Sequence, residues 1–218
     1  MKAYIFDLDG TLFDSMNVWE KVDTDFLQKR GIEVPPDYAK AINSMTFLET
    51  AAYTIERFNL NDSIESLMLE WNDMAAFSYA HNVQLKKGAK EYITMLYSKG
   101  KKLAIATSLS NELLELSLKN QGVYDLFNAI CTTEEVRQGK SRPDVYLLAA
   151  KKLGIKPCDC LVFEDILPAV KSAKNAGFKV CAVYDKSSGA DWEKIKSIAD
   201  FAILDFQGFS LPPKKCRD

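Results

Sequence analysis

A chain of 218 residues, 47% hydrophobic and 27% charged, is long enough for one large domain or a domain with an insertion around a sizeable core. Its 28 Lys+Arg against 30 Asp+Glu give a formal net charge of -2, with no basic field to gather nucleic acid or an anionic membrane, so neither is expected as a partner. No stretch reaches the roughly 18 apolar residues of a membrane span. Asp7 and Asp9 stand where a secretory signal would carry its apolar run, so the expected location is cytoplasmic.

The first element is the apolar run KAYIFD (2–7), which reads as a strand and leads directly into Asp7-Leu8-Asp9-Gly10-Thr11. Residues i and i+2 of a strand share a face, so the two carboxylates would stand a few ångströms apart, each raising the pKa of the other. That crowding asks for a bound cation or a shared proton; the plainer alternative is a polar strand end capping the next turn. From Ser15 to Leu85 no strand pattern follows, only helical segments such as NVWEKVDTDFLQKRG, FLETAAYTIERF and SIESLMLEWNDMAAFSYA. So long an interval exceeds a crossover, and residues 15–85 are expected to fold as their own helical cap. Its aromatics Trp19, Phe26, Phe47, Tyr53, Phe58 and Trp71 fall at helical spacing and read as core. Pro35-Pro36 marks a turn between cap helices, and His81, the only histidine, reads as an exposed or capping residue.

Beyond the cap, strand runs KLAIAT (102–107), NAICT (128–132), CLVFED (160–165), KVCAV (179–183) and FAIL (201–204) alternate with helical patterns. Three of these, NELLELSLKNQG, PDVYLLAAKKLG and LPAVKSAKNAG, end in Gly, a helix stop. Such βαβ rhythm predicts an open parallel α/β sheet from residues 1–14 and 86–218. Five cysteines, an odd number, argue against a disulfide framework. Cys131 and Cys181 read as small core residues, Cys158 and Cys160 as part of a loop entering a strand, and the tail LPPKKCRD with Cys216 as frayed.

Ligands of open parallel sheets sit at the carboxyl ends of the strands. Gathered there by the order of elements are Asp7 and Asp9, Thr107 and Ser108, Glu164 and Asp165, and Lys140 just before PDVYLLAAKKLG. Carboxylates, hydroxyls and an ammonium in one place are suited to holding a divalent metal through oxygen, to binding a phosphate and to offering a carboxylate as nucleophile. Taken alone, Thr107 reads equally well as a β-branched strand residue and Lys140 as a solvated loop cation.

With these motifs in this order, the chain resembles a haloacid dehalogenase (HAD) superfamily hydrolase of the β-phosphoglucomutase-like branch, over nearly its whole length. The resemblance implies a Rossmann-like open parallel sheet with an inserted helical cap. It implies Asp7 as the nucleophile that forms an aspartyl-phosphate and Asp9 as the acid and base. Mg2+ would be held by the Asp7 side chain, the Asp9 backbone carbonyl and Asp165, with Glu164 nearby. Thr107, the Ser108 amide and Lys140 would bind the phosphoryl oxygens. Where mutases of this branch carry a cap-hinge histidine and a cap arginine, this chain has Trp19 and Phe47. A chain without those grips is expected to hydrolyse a small phosphorylated metabolite, as a monomer. The alternatives are a sugar-phosphate mutase and, from another class, a non-catalytic phospho-acceptor module.

Overall fold

The structure is a computed structural model that describes residues 1–210; the tail from Leu211, with Cys216, lies outside the described residues. Strands β1 (Ala3–Phe6), β4 (Lys102–Thr107), β5 (Ala129–Thr132), β6 (Cys160–Glu164), β7 (Lys179–Val183) and β8 (Phe201–Ile203) form one six-stranded sheet. Its order is β5-β4-β1-β6-β7-β8, and each neighbouring pair is parallel. Strand one is therefore central, as a Rossmann-like sheet requires, and its carboxyl end opens between those of β4 and β6.

Alternation along the strands sends side chains to two layers. Ala3 and Ile5, with Cys160, Val162 and Cys131, pack under α8 (Asp144–Leu153) and α9 (Leu167–Asn175). Tyr4, Phe6, Leu161, Phe163 and Cys181 face α5 (Ala89–Ser98) and α6 (Asn111–Asn120). Phe6 and Phe163 stack at 4.6 Å between ring centroids, tying β1 to β6 directly beneath Asp7 and Glu164. The glycines predicted to end α6, α8 and α9 do so: Gly122, Gly154 and Gly177 all take positive φ, which only Gly enters without strain. Cys158 is exposed in the turn before β6 and Cys160 is buried at its start.

Between β1 and β4 lie α1 (Met16–Lys29), α2 (Tyr38–Ile42), α3 (Phe47–Phe58) and α4 (Ile64–His81). α3 starts on a capping box, with the Thr46 side chain accepting from the Glu49 N–H and the Glu49 carboxylate accepting from the Thr46 N–H. Phe26 and Trp71 are buried where α1 crosses α4, whereas Trp19, Phe47, Tyr53 and Phe58 are half-buried. His81 is exposed at the end of α4. One hydrophobic cluster runs unbroken from Phe6 and Phe163 through Leu12 and Phe13 to Phe26, Leu67 and Trp71, so these helices are packed onto the sheet layer.

The interval read as free of strands ends in one. Gln84–Leu85 (β3) pairs antiparallel with Phe13–Asp14 (β2), where the chain enters and leaves the helices. Two residues carry no periodicity, so this ribbon exists because the two crossings run side by side. Among the described residues no helix is long and apolar enough to cross a membrane.

Candidate active site

The register of the sheet builds the floor of the site. Phe6 lies opposite Phe163, so the next residue of each strand, Asp7 and Glu164, emerge together, and the Asp7 N–H donates to the Phe163 carbonyl at 3.2 Å. Asp165 follows at the tip of β6. Carboxylate oxygens of Asp7, Glu164 and Asp165 lie within 4.8 Å of one another, and all three residues are buried. Gly10, at φ +73°, turns the chain back over them; a Cβ there would fall 2.4 Å from Asp165 Oδ2. Thr11 donates its hydroxyl to Asp165 Oδ1 at 3.0 Å. Glycine is thus required by both the turn and the close approach.

Lys140 enters from the loop between α7 (Thr133–Val136) and α8. Its ammonium, 4% exposed, bridges Asp7 Oδ1 and Glu164 Oε1, the latter at 2.6 Å. Tyr146 of α8 donates to the same Glu164 oxygen at 2.6 Å, and Ser172 of α9 donates to the Lys140 carbonyl at 2.7 Å. Burial pushes Asp7 up to about 7 against the opposing pull of Lys140, with Glu164 and Asp9 adding to the rise. Burial, then Glu164 and Asp7, raise Asp165 well above its ordinary value. Lys140 is raised: burial pulls it down, but the attraction of Asp7 and Glu164 outweighs that pull. Three buried carboxylates against one ammonium leave excess negative charge, which is the electrostatic demand a divalent cation with oxygen ligands meets.

Asp9 does not join that cluster. Its Oδ1 accepts from Ser15 Oγ at 2.6 Å and from the Tyr79 hydroxyl, while Trp19 Nε1 donates to Tyr79 Oη at 2.8 Å. Burial raises the Asp9 carboxyl, and the bonds from Ser15 and Tyr79 pull it the other way. Thr107 ends β4 and its hydroxyl accepts from the Leu109 N–H at 3.1 Å; Ser108 is half-buried in that turn. The helix that follows, α6, begins at Asn111, where its pattern starts in the sequence, with Ser110 as N-cap accepting from the Leu113 N–H.

Comparison with known proteins identifies the family. The sequence profile of the haloacid dehalogenase-like hydrolases matches residues 4–183, from β1 to the end of β7. The chain belongs to that family. Among relatives of this HAD-like hydrolase, YhcW of Bacillus subtilis is 30% identical over 93% of this chain and 94% of its own. Hexitol phosphatase A of Escherichia coli is 28% identical, over 84% of this chain and 82% of its own. The crystal structure of CbbY from Rhodobacter sphaeroides in complex with phosphate superposes with a TM-score of 0.84 at 21% identity, covering 95% of this chain and 96% of that one. The fold is thereby that of the family, and the protein is an enzyme of the hydrolase class.

Several residues of the HAD-like site carry no signal in the sequence. Tyr146 and Ser172 are ordinary members of amphipathic helices, and Tyr79 looks like one more core aromatic of α4. Lys86 is one of a basic pair after β3, yet it is nearly buried and donates to the carbonyls of Gly10 and Tyr184, the latter at 2.7 Å, and to Asp185 at 2.9 Å. It pins the chain leaving the helices to the underside of the Asp7–Thr11 loop.

Proposed function

We propose that the protein is a Mg2+-dependent phosphatase that hydrolyses a small phosphomonoester, a sugar phosphate or similar metabolite, through an aspartyl-phosphate on Asp7. The observation that carries this reading is the buried cluster of Asp7, Glu164 and Asp165 with Lys140 set between two of them. The names of relatives such as hexitol phosphatase A favour the same class of substrate.

In this reading Asp7 attacks phosphorus, the bond from phosphorus to the ester oxygen breaks, and that oxygen leaves with the electron pair and takes a proton from the Asp9 carboxyl. Water then attacks the phosphorus of the acyl phosphate, giving up its proton to Asp9, the bond from phosphorus to the Asp7 oxygen breaks with its electron pair restoring the carboxylate, and inorganic phosphate departs. Lys140, Thr107 and the Ser108 amide neutralise and orient the phosphoryl oxygens. The residues fit a divalent cation: Asp7, Asp165 and the Asp9 backbone carbonyl would hold it, with Glu164 at its edge. Bound there, Mg2+ would neutralise phosphoryl charge and allow an anionic nucleophile to approach an anionic ester. Residues 15–85 act as a lid on the core of 1–14 and 86–218, moving on the β2–β3 ribbon and excluding bulk water when closed.

Trp19 and Phe47 meet edge to face at 6.0 Å, and the Trp19 N–H is bound to Tyr79. Neither offers a cation to a second phosphate, which favours hydrolysis over the mutase reading. A phosphate-release screen over sugar phosphates, nucleoside monophosphates and small acid phosphates tests the proposal. Continuous release with Mg2+ supports it; a single phosphorylation without turnover would identify a phospho-acceptor module, and phosphoryl transfer between sugar positions a mutase.

A further inference from the structure

We infer that Tyr79, backed by Trp19, is a positioning residue through which the helices over the site hold the Asp9 side chain in the pose that protonates the leaving group. This deepens the reading above and rests on Asp9 being the acid.

Two donors converge on one carboxylate oxygen, and a third stands behind them. Ser15 Oγ and the Tyr79 hydroxyl both donate to Asp9 Oδ1, and Trp19 Nε1 donates to Tyr79 Oη. An indole N–H has no acceptor capacity, so Tyr79 must accept from it. The one hydrogen of the Tyr79 hydroxyl is then directed at Asp9, and the direction of the chain Trp19 to Tyr79 to Asp9 is set. Tyr79 is 1% exposed, whereas Asp9 is half-buried, and the bonds from Ser15 and Tyr79 both fall on Oδ1. One edge of the carboxyl is thus clamped and the other is left for the ester oxygen.

The two clamping residues come from opposite ends of the helical insertion. Trp19 lies in the first turn of α1, just past β2, and Tyr79 in the last turn of α4, just before β3. A bond between them spans both crossings, and its far end grips a residue of the core. Any swing of these helices on the ribbon therefore releases Asp9, while Asp7 keeps its partners, since Lys140, Glu164 and Asp165 all belong to the sheet side. Closure and proton delivery become one event, which restricts cleavage of poor leaving groups to the closed state.

Two esters with similar rings separate the roles: p-nitrophenyl phosphate, whose phenolate departs without a proton, and benzyl phosphate, whose alkoxide does not. The expected result is that Tyr79→Phe lowers kcat/KM, which reports the steps through departure of the leaving group and not the later attack of water, by about 10- to 100-fold for benzyl phosphate and by less than about 3-fold for p-nitrophenyl phosphate. Trp19→Phe follows the same pattern with a smaller loss, and it stands in if Tyr79→Phe does not fold. In an Asp9→Asn background, Tyr79→Phe causes no further loss. Equal losses on both esters, no loss on either, or a full additional loss in the Asp9→Asn background would overturn the inference. Failure of the wild-type enzyme to release phosphate from either ester would instead strike the phosphatase reading.

Discussion

Asp7 and Asp9, two residues apart, are held by different parts of the molecule. Every partner of Asp7 comes from the sheet and the helices on it: Lys140 from the loop before α8, and Glu164 and Asp165 from the tip of β6. Ser15, Tyr79 and Trp19, which surround Asp9, come from the ends of the helical insertion. The first environment is charged and buried, so its problem is electrostatic, and burial drives Asp7 up to about 7. The second is made of neutral donors, so its problem is orientation. Leu8 alone separates the two aspartates, so one short loop serves a rigid floor and a roof that moves in our reading.

The hardest blow to the floor is Asp7→Asn. Turnover should fall by at least about four orders of magnitude because the nucleophile is lost, while the isosteric amide relieves charge crowding and leaves the melting temperature unchanged or raised. Steady-state phosphate release beside thermal denaturation checks both halves, and activity within a few-fold of wild type would remove Asp7 from the role of nucleophile. Next comes the cation. Excess EDTA should abolish activity and added Mg2+ restore it, and Asp165→Ala should lower kcat/KM by at least about 100-fold and shift the Mg2+ titration to higher concentration. Full turnover in chelator would refute the metal assignment.

A smaller effect is expected where floor and roof touch. A Cβ on Gly139 would lie 2.1 Å from the Ser44 carbonyl oxygen and 3.1 Å from Glu49 Oε2, so Gly139→Ala must push the start of α3 away from the loop that carries Lys140. We expect KM to rise by about 10-fold, with a modest loss of stability. An unchanged KM would show that this contact does not set closure.

The smallest change concerns the helices alone. Burial raises the Asp23 carboxyl to about 7, with Glu20 adding to the rise, and Tyr38 lies near enough to feel its charge. An acid whose folded pKa is raised stays protonated while its unfolded counterpart ionises, so its effect on stability becomes less favourable from about pH 4 to about 7 and is constant above. Asp23→Asn should therefore raise the melting temperature by about 3 °C at pH 8 and by less at pH 4, with kcat unchanged. An equal gain at both pH values would mean that packing, not charge, is responsible.

Most of the sheet could be read from the chain. The five later strand runs and the first one are each present within a residue or two, and the reason is clearest for the central β1, β4 and β6, whose buried faces ask for an unbroken apolar run. The three glycine stops held for the equally local reason that a left-handed residue ends a helix. The carboxylate cluster was legible because residues at the carboxyl ends of adjacent parallel strands converge whatever the loops do. The ribbon of β2 and β3 was not legible, since two residues have no period.

By itself, then, the sequence determined which side chains could do chemistry and at which end of the sheet they would stand. Only the tertiary structure decided how those side chains are shared out. That Lys140 reaches Asp7, that Lys86 pins the Gly10 carbonyl, and that Tyr79 rather than a sheet residue grips Asp9 depend on contacts between segments 70 or more residues apart. No local propensity encodes such a contact. Its geometry follows from how helices of given volume pack against a twisted sheet, and hydrogen bonds then form between whichever donors and acceptors that packing brings within reach.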